Sequence, residues 1–99
     1  MIREVIEVAD NPEESRYEIR VDGVLAGFAD YRPRPGRIVI THTEIGEEFG
    51  GRGLGGTLVR EALDSARAAG LTVTPLCGFV AEYIRRHPEY QELVAEPGA

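Results

Sequence analysis

The chain has few cysteines and no long apolar run, and both shortages restrict its class. Cys77 is the one cysteine, so an internal disulfide cannot form, and we expect a cytoplasmic protein whose stability does not depend on oxidation. No stretch approaches the roughly 18 apolar residues of a membrane-spanning helix. The first four residues lack the apolar core of a signal peptide. We therefore expect neither membrane insertion nor secretion.

Positive charge is also scarce. Lys and Arg number 11 against 17 Asp and Glu, a formal net charge of −6. This balance argues against sequence-independent nucleic-acid binding, which relies on clustered Lys and Arg. An acidic surface keeps a protein soluble, and it would also suit a basic acceptor such as an amine or a Lys-rich peptide. With 42% hydrophobic residues, residues 1–99 are expected to form one compact domain around one modest core.

Alternating and turn-forming residues predict three or four antiparallel strands in the first half of the chain. Tyr17, Ile19 and Val21 alternate with polar residues, as in a half-buried strand. Asp22-Gly23 is a two-residue hairpin signal. The predicted strands are residues 2–8, 17–21, 24–31 and Arg37–Ile45, with turns at residues 10–12, 22–23 and 32–36.

The second half of the chain shows helical periodicity. Six apolar residues on one face predict a helix that ends before Gly70, a residue type that suits a helix C-terminus. Next come a short strand over residues 72–77 and a second helix over residues 79–87, which Pro88 ends or follows with a last short turn. A strand–helix–strand connection in one sheet is right-handed, so residues 72–77 should run parallel to Arg37–Ile45. The six apolar residues are Leu54, Leu58, Val59, Ala62, Leu63 and Ala66.

Residues 50–57 form a glycine-rich loop, Gly-Gly-Arg-Gly-Leu-Gly-Gly-Thr, at the start of the first helix. The glycines allow the backbone to approach a ligand closely. No Ser, Asp or Asn stands just before Leu54 to cap the free amides of the first turn, so an external anion such as phosphate is a natural partner. A P-loop would need a lysine before Thr57. The alternative is a flexible turn whose amides meet only water.

The spacing of this loop resembles the pyrophosphate loop of the GNAT superfamily of N-acetyltransferases, Arg/Gln-x-x-Gly-x-Gly/Ala. Gly53 and Gly55 match that pattern, and Gly50 replaces its leading Arg or Gln. The segments His-Thr-Glu-Ile at 42–45, Pro-Leu-Cys-Gly-Phe-Val at 75–80 and Tyr-Ile-Arg-Arg-His-Pro-Glu-Tyr at 83–90 extend the likeness over residues 17–94. The chain is most similar to the small YjdJ-type subgroup of that superfamily.

This resemblance implies an α+β (α/β) fold. Its mixed sheet has mostly antiparallel N-terminal strands, then a βαβ crossover with splayed parallel strands and a C-terminal helix. It also implies acetyl-CoA as cosubstrate, an amine or a peptide or protein amine as acceptor, and no metal. The backbone of Ile45 or Gly46 would meet the acetyl carbonyl. The residues expected to bind the cofactor are Ile45, Gly51, Arg52, Gly53, Leu54, Gly55, Gly56 and Thr57.

Glu44 and His42 are the candidate bases. Strict alternation along the strand would put both on one face with Ile38 and Ile40, and Thr43 on the other face in a structural role. A neighbouring His and Glu could relay a proton from a bound amine. The alternative is a hydrogen-bonded pair that stabilises a sheet edge.

Cys77 and Tyr83 are the other candidate catalytic residues. Cys77 precedes the second helix, whose positive end would stabilise a thiolate. It could donate a proton to the CoA sulfur, carry the acetyl group as a nucleophile, pack as a small buried hydrophobe or respond to oxidants. The resemblance suggests that Tyr83 protonates the leaving thiolate, although Tyr83 also lies in an apolar stripe that is typical of a core.

Three functions remain open from the sequence. The first is a small N-acetyltransferase, the second is a non-catalytic acetyl-CoA-binding or sensing module, and the third is a partner-binding domain whose glycine loop is structural. Larger members of the superfamily have helices between their first two strands, and here residues 9–16 leave no room for them. The acceptor site is therefore expected to be open, which suits a peptide, a protein terminus or a bulky amine.

Overall fold

The computed structural model describes residues 3–95. The five strands lie in the order β1-β2-β3-β4-β5, so each pairs with its neighbour along the chain. The first four strands are antiparallel and β4 pairs with β5 in parallel, which confirms the mixed sheet expected from the sequence. The elements are β1 (Ile6–Asn11), β2 (Arg16–Val21), β3 (Val24–Arg34), β4 (Arg37–Ile45), α1 (Leu54–Ala68), β5 (Thr72–Pro75) and α2 (Gly78–Arg86), with 3₁₀ segments at Glu47–Phe49 and Pro88–Leu93.

The first strand differs from its predicted bounds. β1 starts at Ile6 and runs through Asn11, which pairs with Arg16. A first strand is therefore present, but its predicted bounds of 2–8 and the turn at 10–12 were wrong; residues 1 and 2 lie outside the described range. The ladder ends where Pro12, which has no N–H to donate, begins a turn that lasts through residue 15. A four-residue turn thus joins β1 to β2.

The two hairpins show one confirmed turn and one corrected turn. Asp22 and Gly23 have φ of 50° and 83°, as a two-residue hairpin turn with two positive φ angles requires. The predicted turn at 32–36 is shorter: β3 continues to Arg34, which pairs with Arg37. The remaining two turn residues are Pro35 and Gly36, and Gly36 has φ of 73°, the arrangement that type II turns favour.

A β-bulge in β4 reverses the alternation of its side chains. Tyr31 pairs with Ile40 and the adjacent Asp30 pairs with His42, so Thr41 is the extra residue. A bulge of this kind moves every later side chain to the opposite face. Ile40 therefore faces the core with Tyr31, and Thr43, three residues further on, faces the core as well.

The register on the far side of the bulge confirms this placement. Thr43 lies opposite Ala29, which is buried in the core. Glu44 lies opposite Phe28, and both Glu44 and His42 are exposed. His42 and Glu44 do share a face, as predicted, but it is not the face of Ile38 and Ile40. We call it the outer face of the sheet.

Helix α1 covers the core face. All six residues of its predicted apolar face are buried, and each fully buried Leu or Val contributes about 1.5 to 3 kcal/mol relative to exposure. The helix ends as predicted: Gly70 has φ of 73° and the Leu71 amide donates to the carbonyl of Ala66 at 2.9 Å, which satisfies a carbonyl of the last turn.

Helix α2 packs beside α1 and completes the core. Val80 and Ile84 are buried on its inner side. Pro88 begins the last 3₁₀ segment, in which the hydroxyl of Tyr90 donates to Oδ1 of Asp64 on α1 at 2.7 Å. Within residues 3–95 no helix is long and apolar enough to cross a bilayer.

Candidate functional site

Strands β4 and β5 separate at one end of the sheet. Their parallel pairing ends at Ile40 with Pro75. The amides of Leu76 and Cys77 then both donate to the carbonyl of Ile40, at 3.0 and 3.1 Å, and the chain turns away into α2. Since β4 continues to Ile45, its last five residues face a gap that we call the β4–β5 opening.

Backbone amides of β4 point into this opening. The Gly46 amide donates to the carbonyl of Ala26 at 2.8 Å, so Gly46 is not available to a ligand. Hydrogen-bonding residues alternate along an antiparallel ladder. The amides of Ile45 and Thr43 therefore point away from β3 and toward the opening. Of the two predicted donors to the acetyl carbonyl, Ile45 and Gly46, Ile45 is thus the better placed.

Cys77 lies at the mouth of the opening, at the N-cap position of α2. Its half-buried Sγ lies 3.5 Å from Oγ1 of Thr43. Burial raises the pKa of the thiol, but hydrogen bonds from the Thr43 hydroxyl and from the backbone of Val80, Phe79 and Thr43 outweigh burial, so the net pKa is lowered. A thiol in such surroundings ionises more readily and is a better nucleophile at neutral pH.

His42 and Glu44 form a pair on the outer face. Nε2 of His42 lies 3.2 Å from Oε1 of Glu44, and their side chains are 55% and 60% exposed. The Phe28 ring lies beside His42, with 6.1 Å between the ring centres. Glu44 and Phe28 also line a shallow cavity of about 140 Å³. The structure thus brings these two predicted bases together, but on the opposite side of β4 from Cys77.

Tyr83 lies on the side of α2 that meets α1. Its ring stacks on His87 with 3.9 Å between ring centres, and a methyl group on Gly56 would lie 3.8 Å from it. Burial raises the pKa of its hydroxyl, with a smaller opposing effect from Arg60. Among residues 3–95, Tyr83 makes no hydrogen bond or ring contact with Cys77, His42 or Glu44.

The glycine loop presents free amides at the start of α1. Gly51 and Gly53 both have φ of 75°, a conformation that glycine adopts without strain. Gly53 is the N-cap residue and has no side chain with which to cap the helix. The first intrahelical bond is from the Thr57 amide to the Gly53 carbonyl, at 3.2 Å. The amides of Leu54, Gly55 and Gly56 are thus left without partners inside the helix.

Two further contacts shape the loop. Arg52 forms an ion pair with Glu4, so a carboxylate already engages the cation that was predicted to meet a phosphate. The exposed ring of Phe79, at the start of α2, lies over Gly55, where an added methyl group would come within 2.9 Å of it. The loop therefore has an aromatic wall and a basic residue beside its free amides.

The sequence interpretation missed three of these residues. Thr43 was assigned to the wrong face because the bulge was not recognised, although the apolar pattern gives a signal: Ile38 and Ile40 occupy even positions, while Ile45, which packs against the core, occupies an odd one. Phe79 belongs to the same apolar stripe as Tyr83, which is typical of a core and gave no sign of a contact with the loop, and no local pattern indicates that Glu4 reaches Arg52. Among residues 3–95, no cluster of three or more His, Cys, Asp or Glu side chains could hold a metal ion.

Residues 16–93 match the family model of the GCN5-related N-acetyl-transferases. The match covers most of the chain, and the protein therefore belongs to this family of acetyltransferases. No curated protein matches the chain. The narrower YjdJ-type assignment remains a prediction.

Solved structures share the fold. A GCN5-like N-acetyltransferase candidate from Staphylococcus aureus has a TM-score of 0.68 at 24% identity, over 90% of this chain and 87% of that chain. Ard1 from Thermoplasma volcanium has a TM-score of 0.58 at 24% identity, over 83% of this chain and 57% of its own. The IAA acetyltransferase from Bacillus cereus has a TM-score of 0.55 at 20% identity, over 74% of this chain and 65% of its own. At these identities the likeness concerns the fold, and it confirms the predicted α+β arrangement.

Proposed function

We propose that the protein is a cytoplasmic N-acetyltransferase that moves an acetyl group from acetyl-CoA to an amine at the β4–β5 opening. The proposal is supported by two contacts at one end of the sheet: the Cys77 thiol touches Thr43 near the end of β4, and Phe79 at the start of α2 lies over Gly55 at the uncapped start of α1. Ligands of sheets with parallel strands bind at this end.

Acetyl-CoA would lie along the opening with its pyrophosphate at the start of α1. Free amides and the helix dipole favour an anion there, and Arg52 would exchange its Glu4 carboxylate for a phosphate. The thioester would then reach the Ile45 amide, whose N–H stabilises the negative charge that develops on the carbonyl oxygen. Phe79 would cover the pantetheine arm of acetyl-CoA near Gly55.

We assign Cys77 the role of nucleophile, because its position at the N-cap of α2 and beside the Thr43 hydroxyl favours a thiolate, and the lowered pKa of the thiol agrees with this. Its thiolate would attack the carbonyl carbon, forming one carbon–sulfur bond while the bond to the CoA sulfur breaks and CoA leaves as a thiolate. The neutral amine would then attack acetyl-Cys77, forming the carbon–nitrogen bond and releasing the Cys77 thiolate. The amine must lose a proton, and Glu44, with His42, would accept it through water, because both side chains lie on the other side of β4 from Cys77.

The acceptor would approach from the outer face. The four-residue turn at 12–15 leaves this face without a helical wall, and the cavity beside Glu44 is small and shallow. An exposed carboxylate in this place suits a cationic amine on a larger molecule, such as a lysine side chain or the terminus of a peptide.

The absence of a helical wall on this face, among the described residues, also favours a second candidate function, an acetyl-CoA-binding module without efficient transfer.

Ligand-induced stabilisation and acetyl transfer test the two candidates separately. We expect acetyl-CoA and CoA to raise the melting temperature, and NAD and ATP to do so much less. A ligand at about 100 times its Kd adds roughly 2.7 kcal/mol of stability. Transfer from labelled acetyl-CoA to amines and lysine peptides is measured with the native protein and with heat-denatured protein, and the two rates are compared. Stabilisation without transfer would support the binding module, and no stabilisation by millimolar CoA would refute both.

A further inference from the structure

The bulge at Thr41 brings Thr43 to the thiol of Cys77. In an unbroken strand the odd-numbered residue 43 would face away from Ile40, but the extra residue turns it to the core face. Its Oγ1 then lies 3.5 Å from Sγ across the opening, between residues 34 positions apart in the chain. The Thr43 amide points the same way. One residue of β4 therefore meets the sulfur with both its side chain and its backbone.

A threonine hydroxyl can act in either protonation state of a neighbouring thiol. It accepts a hydrogen bond from S–H, and it donates one to a thiolate, because a hydroxyl carries both a proton and lone pairs. The bond to the charged sulfur is the stronger of the two. Valine has nearly the same shape but neither capacity, so packing and hydrogen bonding can be separated at this position.

We propose that Thr43 is a positioning residue for Cys77: its hydroxyl holds the sulfur at the mouth of the β4–β5 opening and donates a hydrogen bond to the thiolate. This inference rests on the proposed function for its role in transfer, whereas the contact itself exists without any ligand: the Cys77 thiol donates to Oγ1 of Thr43. The direction of the thiol pKa, lowered despite burial, agrees with it.

Charged groups near the sulfur do not offer a competing explanation. On β4, His42 and Glu44 point to the outer face and pair with each other. On α2, Glu82 is paired with Arg85 and Arg86 at the surface. β5 carries no ionisable side chain, since it reads Thr-Val-Thr-Pro. Within the described residues, the thiol pKa is lowered by the Thr43 hydroxyl and by backbone amides.

The test is the pH dependence of Cys77 alkylation by iodoacetamide in the ligand-free protein. Because the chain has one cysteine, all of the signal comes from this residue. We expect Thr43→Val to raise the midpoint of the profile by about one pH unit, the order of size of a charge-assisted hydrogen bond. Thr43→Ser, which keeps the hydroxyl, should restore the wild-type midpoint.

Thr41→Val is the matched control. It makes the same change two residues away on the same strand, where the hydroxyl contacts the carbonyl of Asp30 at 3.4 Å, and it should leave the midpoint unchanged. Melting temperatures identify any variant that does not fold. If Thr43→Val is one of these, Thr43→Ala provides the same reading. A hydroxyl-free variant that titrates like the wild type, or a serine variant that shifts as far as valine does, would overturn the proposal.

A second measurement connects the contact to transfer. With saturating amine, Thr43→Val should lower kcat while leaving the KM for acetyl-CoA nearly unchanged, and Thr43→Ser should recover the rate. Failure of the proposed function is distinguishable, since a protein that never transfers acetyl can still show the alkylation shift. An unchanged kcat together with a shifted midpoint would refute the role of Thr43 in transfer.

Discussion

Cys77 differs from an ordinary half-buried cysteine in what surrounds its sulfur. Three backbone amides and one hydroxyl lower the pKa of the thiol although burial, the largest single influence, raises it. A cysteine that served packing alone would gain nothing from so many donors, because a neutral thiol is a weak acceptor. The surroundings suit a sulfur that carries negative charge for part of its working cycle.

At the residue scale, we predict that acetyl-CoA without an acceptor leaves an acetyl group on Cys77. The chain contains no lysine, so mass spectrometry of the intact protein is not confused by acetylated lysine side chains. Cys77→Ser should form no such adduct. Its rate should fall by at least about 100-fold, the lower end of what a positioned proton-transfer group contributes. A wild-type protein without adduct, together with a serine variant that keeps a measurable fraction of the rate, would identify a proton donor. Unchanged activity per folded molecule would identify a packing residue.

At the scale of elements, the glycine loop and α1 act as one unit. Gly53 has φ of 75° and open space around its α-carbon. Gly53→Ala should therefore cost about 1 to 2 kcal/mol, since alanine is strained in that conformation, and should also weaken CoA binding by roughly tenfold or more, or about 1.4 kcal/mol, because the loop relaxes away from the helix start.

Gly23→Ala supplies the control for this prediction. Gly23 has φ of 83°, also with open space, but lies in the β2–β3 hairpin. The variant should lose a similar amount of stability in thermal melts and keep its CoA affinity in calorimetry. Equal affinities in the two variants would show that the phosphates bind elsewhere.

The elements also differ in how far the sequence could predict them. The buried face of α1 was predicted residue by residue, because six apolar side chains at helical spacing leave one arrangement that buries them all. The bulge at Thr41 was missed, since the four residues around it, Ile-Thr-His-Thr, fit an unbroken strand equally well, and the odd position of Ile45 further along is the sole signal. The choice between the two registers is made by pairing with β3, where Ala29 and Tyr31 need a common face.

The placement of side chains at the candidate site was the part of the structure least predictable from the sequence. Cys77, the helix start and the end of β4 were predicted to meet, because parallel strands place their ends together. The side on which His42, Thr43 and Glu44 lie depends on one extra residue, and the Arg52–Glu4 pair joins residues 48 positions apart. Long-range contacts of single side chains leave no periodic trace in a sequence.

At the scale of the whole molecule, a buried carboxylate makes stability depend on pH. Glu18 lies in the middle of β2 on the outer face. Its pKa is lowered first by a hydrogen bond from Arg16 at 2.7 Å, against the opposing effect of burial, and further by Asn11 and Arg20. Because the folded pKa is below the unfolded one, this stabilisation is complete above about pH 4.5 and is lost as pH falls through the folded pKa.

We predict that Glu18→Gln costs about 1.5 to 3 kcal/mol at pH 7, the range for hydrogen bonds to a charged group. The difference from the wild type should shrink below pH 4.5 and vanish in strong acid, where both side chains are neutral. Urea unfolding at several pH values measures it. Glu13→Gln, at an exposed position of the turn at 12–15, should change little at any pH. A Glu18→Gln difference that is constant with pH would refute the assignment.

The sequential order of the strands has a consequence for how the chain folds. Turns of four, two and two residues connect β1 to β4, so these pairings close short loops, whereas β5 reaches β4 across the whole of α1. Short loops close at low entropic cost and speed folding. We expect Ile19→Val in β2 to slow refolding, and Val73→Ala in β5 mainly to speed unfolding, in stopped-flow measurements. The strand that pairs last would then be β5, which borders the opening. The proposed CoA site would therefore be completed only in the last step of folding.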